Sequence, residues 1–449
     1  MKKSSLIGHT VEAYDLIFRG KLPADSIIDA FFRSHKYLGS HDRRFIAETV
    51  YGMLRHKTRL EWLIDKAGKE GNGAPGVYPS LLVCFVYLVV VAGDEPLSLL
   101  EHYEADPEEK KFLPAILAEA KNRSAHLATA FEHDHDRARR LSVEYSFPLW
   151  MIEMWLAQYG ETETAALCAA LNLPAPLTVR VNTVKKDVAA CRQSLADEKI
   201  KTEPARYSPF GLNLLRRMNV FGLEAFKAGY FEVQDEGSQL VSLLVDPKPT
   251  GKVVDACAGG GGKSLALAAL MKNRGTLFAL DTNAHRLDGL RKRIRRSGVD
   301  TIRVRPIEPD NLPDDLIGAA DNVLVDAPCS GLGTIRRNPG IKWTVTPETI
   351  AELHLKQISI LHQYARCVKP NGRLVYATCT TMKQENEDVV EEFLLHHPEF
   401  ELLEPSTILS RYQLESLAPE KYFRLKPHVH GTDGFFAAVM KRKDLATSK

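Results

Sequence analysis

The chain has 449 residues, which is too long for one compact core and enough for two or three domains. Its 44% apolar and 26% charged content is that of an ordinary folded protein and excludes a disordered one. A net charge of only +2 excludes a generally basic chain, so any affinity for nucleic acid has to come from local clusters.

Seven scattered cysteines (Cys84, Cys168, Cys191, Cys257, Cys329, Cys367 and Cys379) contain no C-x-x-C pair. That argues against a disulfide framework and against a metal site. The opening Met1-Lys2-Lys3-Ser4-Ser5 leads into a polar amphipathic stretch without the apolar core of a signal peptide. A reducing cytoplasm fits both observations.

The first third reads as helical. In Ser40–Ile64 the residues Ile46, Val50, Met53 and Leu54 recur at helical spacing. Arg43, Arg44, Arg55, Lys57 and Arg59 punctuate the same stretch, either as a solvated face or as a surface for RNA phosphates. The most apolar run, Leu81–Ala92, falls well short of the ~20 residues of a membrane span and reads as a buried helix. A charged stretch, Phe131–Arg140, places a domain boundary near residue 135. Beyond it Leu177, Val179 and Val181 alternate with Thr178, Arg180 and Asn182, which predicts a strand with one polar face inside a small α+β domain, 136–232.

From about residue 233 short apolar runs alternate with helical segments. That is the pattern of an α/β fold, a doubly wound, mostly parallel sheet over 233–449. The segment Lys252–Ser264 reads as a strand, a glycine-rich turn (Cys257, Ala258, Gly259, Gly260, Gly261, Gly262, Lys263) and a helix start. Glycines let a backbone approach a ligand, and a helix N-terminus offers free N–H groups. A phosphate-binding Walker loop would need Gly where Cys257 stands, and a dinucleotide fingerprint would need Gly where Ser264 or Leu265 stands. A cofactor bearing an amino-acid carboxylate remains, which fits S-adenosylmethionine. A turn with no ligand is the plainer alternative.

The next strand ends at Asp281, where an acid can accept from ribose hydroxyls or simply cap the following helix. That helix carries Arg286, Arg291, Lys292, Arg293, Arg295 and Arg296, the densest basic cluster in the chain. It is a solvated face or a sequence-independent phosphate contact.

Two later strands end in chemistry-bearing residues. One runs to Asp326 and is followed by Pro328 and Cys329; the other runs through Thr378 to Cys379. A lone cysteine is usually a small buried hydrophobe. Two at strand ends, each beside polar residues, suit a different task. Carbon 5 of cytosine is a poor nucleophile until a thiolate adds to carbon 6 and makes the ring an enamine. An acid at the N3/N4 edge relieves the added charge, and Asp326 is the candidate.

Together Asp255–Ser264, Ala279–Leu287, Asp326–Trp343 and Tyr376–Val390 resemble the RsmB/Sun-type RNA cytosine-5 methyltransferases. The resemblance spans roughly residues 140 to 440. The amino-terminal region is similar to the NusB-like helical domain of the branch that modifies small-subunit ribosomal RNA. It implies a class I methyltransferase domain preceded by an all-α NusB-like domain, 1–135, and an RNA-binding α+β domain. It also implies S-adenosylmethionine as cofactor, RNA (ribosomal RNA first, transfer RNA as the alternative) as partner, no membrane and a monomer.

Carried over, the resemblance makes Cys379 the nucleophile, Cys329 the thiol that helps release product, Cys257–Lys263 the cofactor loop, Asp281 the ribose acid, with Arg286 beside it, and Asp326 the strand-end acid. The acid toward the adenine aligns best with Glu308 and next with Asp310. Where the family loop reads Ala-Pro this chain has Gly259-Gly260, and Gly340 replaces an Asp. A catalytically dead RNA-binding protein, and a DNA-type enzyme in which Cys329 attacks, are the competing readings.

Overall fold

The computed structural model describes residues 1–20, 22–68, 79–96, 99, 109–127, 129–131, 136–309, 311–418 and 420–444. Contacts divide the chain into two compact units. One is Met1–Leu173 with Ile335–Val345; the other is Pro174–Thr334 with Thr346–Lys449. The boundary expected near residue 135 lies outside the described residues.

The described elements of the first unit are helical, with long helices at Lys3–Arg19, Ser40–Ala67, Glu109–Ala125 and Leu149–Asn172. The helical stripe Ile46, Val50, Met53 and Leu54 is wholly buried, and so are Cys84, Phe85 and Val86 of the apolar helix Ser80–Val90. The basic residues along Ser40–Ala67 are largely engaged within the unit. Arg44 pairs with Glu48 at 2.9 Å, Lys57 with Glu61 at 2.6 Å, and Arg59 donates to Ser124 at 2.8 Å.

The short segment Ile335–Val345 belongs to this unit although it follows Cys329 in the chain. Lys342 is completely buried and donates to the carbonyls of Ser146 at 2.9 Å and Arg55 at 3.1 Å and to Asn172 Oδ1 at 2.7 Å. Its Nζ also lies 3.5 Å from the Phe147 ring centroid, and burial pushes this ammonium well below the ordinary lysine range. Trp343 Nε1 donates to the Leu54 carbonyl at 2.7 Å. Gly340 has a packing reason for being glycine, because a methyl group there would meet Ala24 Cβ at 2.9 Å.

The second unit holds two sheets. A four-stranded antiparallel sheet runs β2 (Thr202–Pro204), β3 (Gly211–Leu214), β1 (Leu177–Val181), β4 (Phe231–Val233). The polar face predicted for β1 is buried too. Thr178, Arg180 and Asn182 are at most 3% exposed, because Arg180 donates to Gln234 at 2.7 Å and Asn182 to the Gly229 and Ser297 carbonyls.

The large sheet is built on β5 (Lys252–Asp255), β6 (Thr276–Asp281), β7 (Ile302–Pro306), β8 (Ala320–Asp326) and β9 (Val368–Thr378), all parallel, in the order β7-β6-β5-β8-β9. Beyond β9 the antiparallel β12 (Phe435–Arg442) and β10 (Phe400–Leu403) complete the row, and β11 (Phe423–Leu425) pairs with β12. Val253, Val254, Val323, Leu324 and Val325 have no exposed surface, as strands covered on both faces require. Leu240, Leu244, Leu267 and Leu290 cover one face; Ile358, Leu361, Tyr364 and Phe393 cover the other. This is the doubly wound sheet expected from the sequence. Its order reverses between β5 and β8, and the crevice at the carboxyl ends of those strands is where ligands bind in such sheets.

Candidate active site

The glycine turn starts where β5 ends. Asp255 is fully buried and accepts from Ser264 Oγ at 2.6 Å, which ties the first turn of the helix Gly262–Leu270 to the strand. Its other oxygen, Oδ1, has no hydrogen-bond partner. Burial pushes the Asp255 carboxyl up to about 7, with Asp326 and Asp281 adding and Ser264 opposing. The folded protein therefore keeps a proton that the unfolded chain loses near pH 3.8. The stability that Asp255 contributes below that pH is lost as pH rises toward about 7, so its contribution to melting temperature falls across this window and then levels. Thermal melts across the window should show that slope in the wild type and a smaller one in Asp255→Asn.

Gly259 sits at φ +53 and Gly261 at φ +80, conformations that cost glycine nothing. A methyl group on Gly261 would also strike Leu290 Cδ1 at 2.1 Å. Over Gly259 and Gly262 nothing else comes nearer than 3.9 Å to where a methyl group would stand, so the loop presents an open cradle beside a helix N-terminus. Gly260 is not loose. Its carbonyl accepts from Arg293 Nη1 at 2.6 Å, and Arg293 and Arg296 both pair with the buried Glu232, at 3.0 and 2.6 Å. Those two arginines of the basic helix thus brace the loop, whereas among the described residues the side chains of Lys292 and Arg295 have no hydrogen-bond or ion-pair partner.

Asp281, 9% exposed at the end of β6, accepts from the Gly259 N–H and the Asn283 N–H, each at 2.7 Å. It caps the chain turn and closes the glycine loop at once. Arg286 is exposed, and its backbone N–H donates to Asn283. Glu308 is exposed just past β7, whose exit is tied to the Asp281 carbonyl by Ile307 N–H at 3.2 Å. Asp310 lies outside the described residues. The cradle, the N–H groups and an acid at the neighbouring strand end fit S-adenosylmethionine, which the glycine loop and Asp281 would hold. Asp281→Ala should weaken cofactor binding by about 1–3 kcal/mol, the cost of leaving hydrogen-bonding groups unpaired. Calorimetry checks this, and an unchanged affinity would remove Asp281 from the ribose.

The strand ends bring Asp326, Lys263 and the two thiols of the sequence reading into one crevice. Lys263 Nζ donates to Asp326 Oδ2 at 2.7 Å, with the lysine 11% exposed. Burial alone would lower the lysine, but the Asp326 carboxylate outweighs it, the Cys379 sulfur adds, and the ammonium is raised. The sulfurs of Cys329 and Cys379 lie 3.4 Å apart, and the Cys379 N–H points at the Cys329 sulfur at 3.3 Å. The hydrogen bond with Cys379, and then burial, push the Cys329 thiol well up. Burial pushes the Cys257 thiol up as well.

Sequence reasoning missed what surrounds the thiols. Ser330, Thr380, Gln357, Glu385 and Asn386 are all buried and interlinked behind the two cysteine loops. Among the described residues no cluster of His, Cys, Asp or Glu could hold a metal, and no helix is long and apolar enough to cross a membrane.

The family described as 16S rRNA methyltransferase RsmB/F matches residues 242–441, and the ferredoxin-like domain of RsmF/B-like methyltransferases matches residues 147–221. A Bacillus subtilis protein named "Probable ribosomal RNA small subunit methyltransferase B" is 31% identical over 99% of this chain and 100% of its own. The ribosomal RNA small subunit methyltransferase B of Yersinia pseudotuberculosis is 28% identical over 91% and 92%. Among solved structures, that of PH0851 covers 98% of this chain and 99% of its own at 28% identity with a TM-score of 0.75. A methyltransferase homolog protein from Pyrococcus horikoshii covers 68% and 99% at 27% identity with a TM-score of 0.58. The chain belongs to the RsmB/F family of 16S rRNA methyltransferases, enzymes that act on RNA with S-adenosylmethionine as cofactor.

Proposed function

We propose that this enzyme methylates carbon 5 of a cytosine in small-subunit ribosomal RNA through a covalent bond from Cys379. The observation that carries the reading is the pair of sulfurs 3.4 Å apart beside the Lys263–Asp326 ion pair. A thiol that holds its proton is a poor nucleophile. The hydrogen bond with Cys379, then burial, hold the Cys329 thiol up, and the resemblance to the RsmB/Sun-type enzymes assigns the attack to Cys379.

S-adenosylmethionine supplies a methyl group activated by its sulfonium charge. The protein's own residues do the rest. The Cys379 thiolate adds to carbon 6, and the ring's electron pair moves toward carbon 5, which takes the methyl group. Asp326 accepts from the N4 amino group, and a proton shared with Lys263 goes to N3 as charge builds on the ring.

Once the Cys379 sulfur is a thioether it no longer holds the proton on Cys329. The Cys329 thiol then gives its proton to solvent, and the thiolate takes the carbon-5 proton. The pair left at carbon 5 forms the 5,6 double bond and expels the Cys379 thiolate, while N3 returns its proton to the Lys263–Asp326 pair.

We further propose three domains, with the NusB-like helical domain (1–135) and the α+β domain (136–232) binding RNA, and the methyltransferase domain (233–449) housing the chemistry. The ferredoxin-like match over residues 147–221 supports the α+β domain, and relatives named for small-subunit ribosomal RNA support an RNA substrate.

The test supplies labelled S-adenosylmethionine with small-subunit RNA, large-subunit RNA and transfer RNA in separate reactions. Label entering small-subunit RNA alone is expected. Label entering transfer RNA instead would move the substrate to that class.

A further inference from the structure

Glu385 lies in the run Lys383-Gln384-Glu385-Asn386-Glu387-Asp388, which reads as solvated surface, yet its side chain has no exposed area. A carboxylate offers about four acceptor sites. Here all four are filled: Oε1 accepts from the Ser330 N–H at 2.8 Å and from Gln357 Nε2 at 3.0 Å, and Oε2 accepts from Ser330 Oγ at 2.5 Å and Thr380 Oγ1 at 2.9 Å. Ser330 follows Cys329 in the chain, and Thr380 follows Cys379. The Ser330 and Thr380 hydroxyls approach to 2.8 Å, and each spends its only proton on Glu385, so the shared carboxylate is what keeps them together.

The neighbours extend the clamp. Gln357 Nε2 also donates to the Pro328 carbonyl at 3.0 Å, on the other side of Cys329. Asn386 straddles Cys379, accepting from Thr378 Oγ1 at 2.5 Å and donating to the Thr380 carbonyl at 3.3 Å. The Glu385 carbonyl accepts from Tyr376 at 2.6 Å, which fastens the turn to β9.

We infer that Glu385 is a positioning residue for the thiol pair: one buried carboxylate bridges the loops after β8 and β9 and fixes the distance between Cys329 and Cys379. The inference rests on the thiol chemistry proposed above and adds a residue that never touches the substrate. Loss of the bridge lets the two loops drift independently. A misplacement near 1 Å at a reacting atom can cost about 100-fold in rate.

Glu385→Gln keeps the shape but turns one acceptor into a donor. The Ser330 and Thr380 hydroxyls can reverse to accept from it, so the protein folds while the pattern that spaces the loops changes. Three quantities are measured in the full chain: melting temperature, kcat and KM for RNA, and the pH profile of Cys379 alkylation by iodoacetamide, read by peptide mass mapping.

For Glu385→Gln the expected result is near-normal melting, a KM within about twofold, kcat lower by about 10–100-fold, and a displaced alkylation profile. Glu385→Asp, which restores the charge on a shorter arm, should recover part of both kcat and the profile. An alkylation profile identical to wild type in Glu385→Gln overturns the inference, whatever turnover does. The alkylation readout needs no RNA. It therefore stands apart from the proposed reaction, which fails instead if Cys379→Ala still methylates.

Discussion

Replacing Cys329 with Ala should leave an enzyme that attacks its RNA and cannot let go. Attack and methyl transfer need only Cys379, whereas release needs a base for the carbon-5 proton, and in this account the Cys329 thiol is that base. Removing a group used only after the covalent step lets the adduct accumulate. Cys329→Ala should give a protein–RNA band that survives denaturing electrophoresis, with one methyl group per trapped chain and no turnover beyond that. Cys379→Ala should give neither band nor methylation above background. With the two sulfurs 3.4 Å apart, geometry alone leaves both as candidate nucleophiles. The assignment to Cys379 follows the resemblance of its Thr-Cys segment to the RsmB/Sun-type enzymes. An adduct formed by Cys379→Ala and none by Cys329→Ala would reverse the roles and give the DNA-type mechanism.

Asp326→Asn should reduce kcat by about 10²–10⁴-fold, the range for removing a positioned acid–base group. Lys263, 11% exposed, would keep a hydrogen bond to the amide but lose the charge that outweighs its burial, so the ammonium drops toward lower pH. The cofactor loop is braced separately by Asp281 and Arg293. Cofactor affinity should therefore change far less than kcat. Titration calorimetry and single-turnover rates separate the two, and an equal loss in both would make the pair a cofactor contact and not part of the acid machinery.

Much of this site was legible in the sequence because it follows from backbone rules. Apolar runs covered on both faces announced β5, β6, β8 and β9, and parallel strands must carry their functional residues at the carboxyl edge. That was enough to bring Asp281, Asp326, Cys329 and Cys379 to one edge. The rest was hidden because it consists of charged groups in places where charges rarely go. Glu385 sits in a polar run that imitates surface, and its bonds to Gln357 and Ser330 reach 28 and 55 residues back; the buried Lys342 is satisfied by partners 170 to 287 residues away. Arg293 and Arg296 were counted with a basic face for RNA, but their buried partner Glu232 lies more than 60 residues earlier, where no periodicity points to it. The passage of Ile335–Val345 into the helical unit was equally invisible, since nothing local distinguishes a loop that crosses between units from one that stays.

The central claim is the identity of the methylated atom, and one measurement reaches it directly. Small-subunit RNA is incubated with the purified enzyme and S-adenosylmethionine, digested to nucleosides and analysed by mass spectrometry, with bisulfite sequencing of the same sample. The account predicts 5-methylcytidine as the methylated product, with a cytosine protected from conversion. A methyl group on another base, on the ribose or on a cytosine nitrogen would contradict it, because none of those positions needs a thiolate at carbon 6.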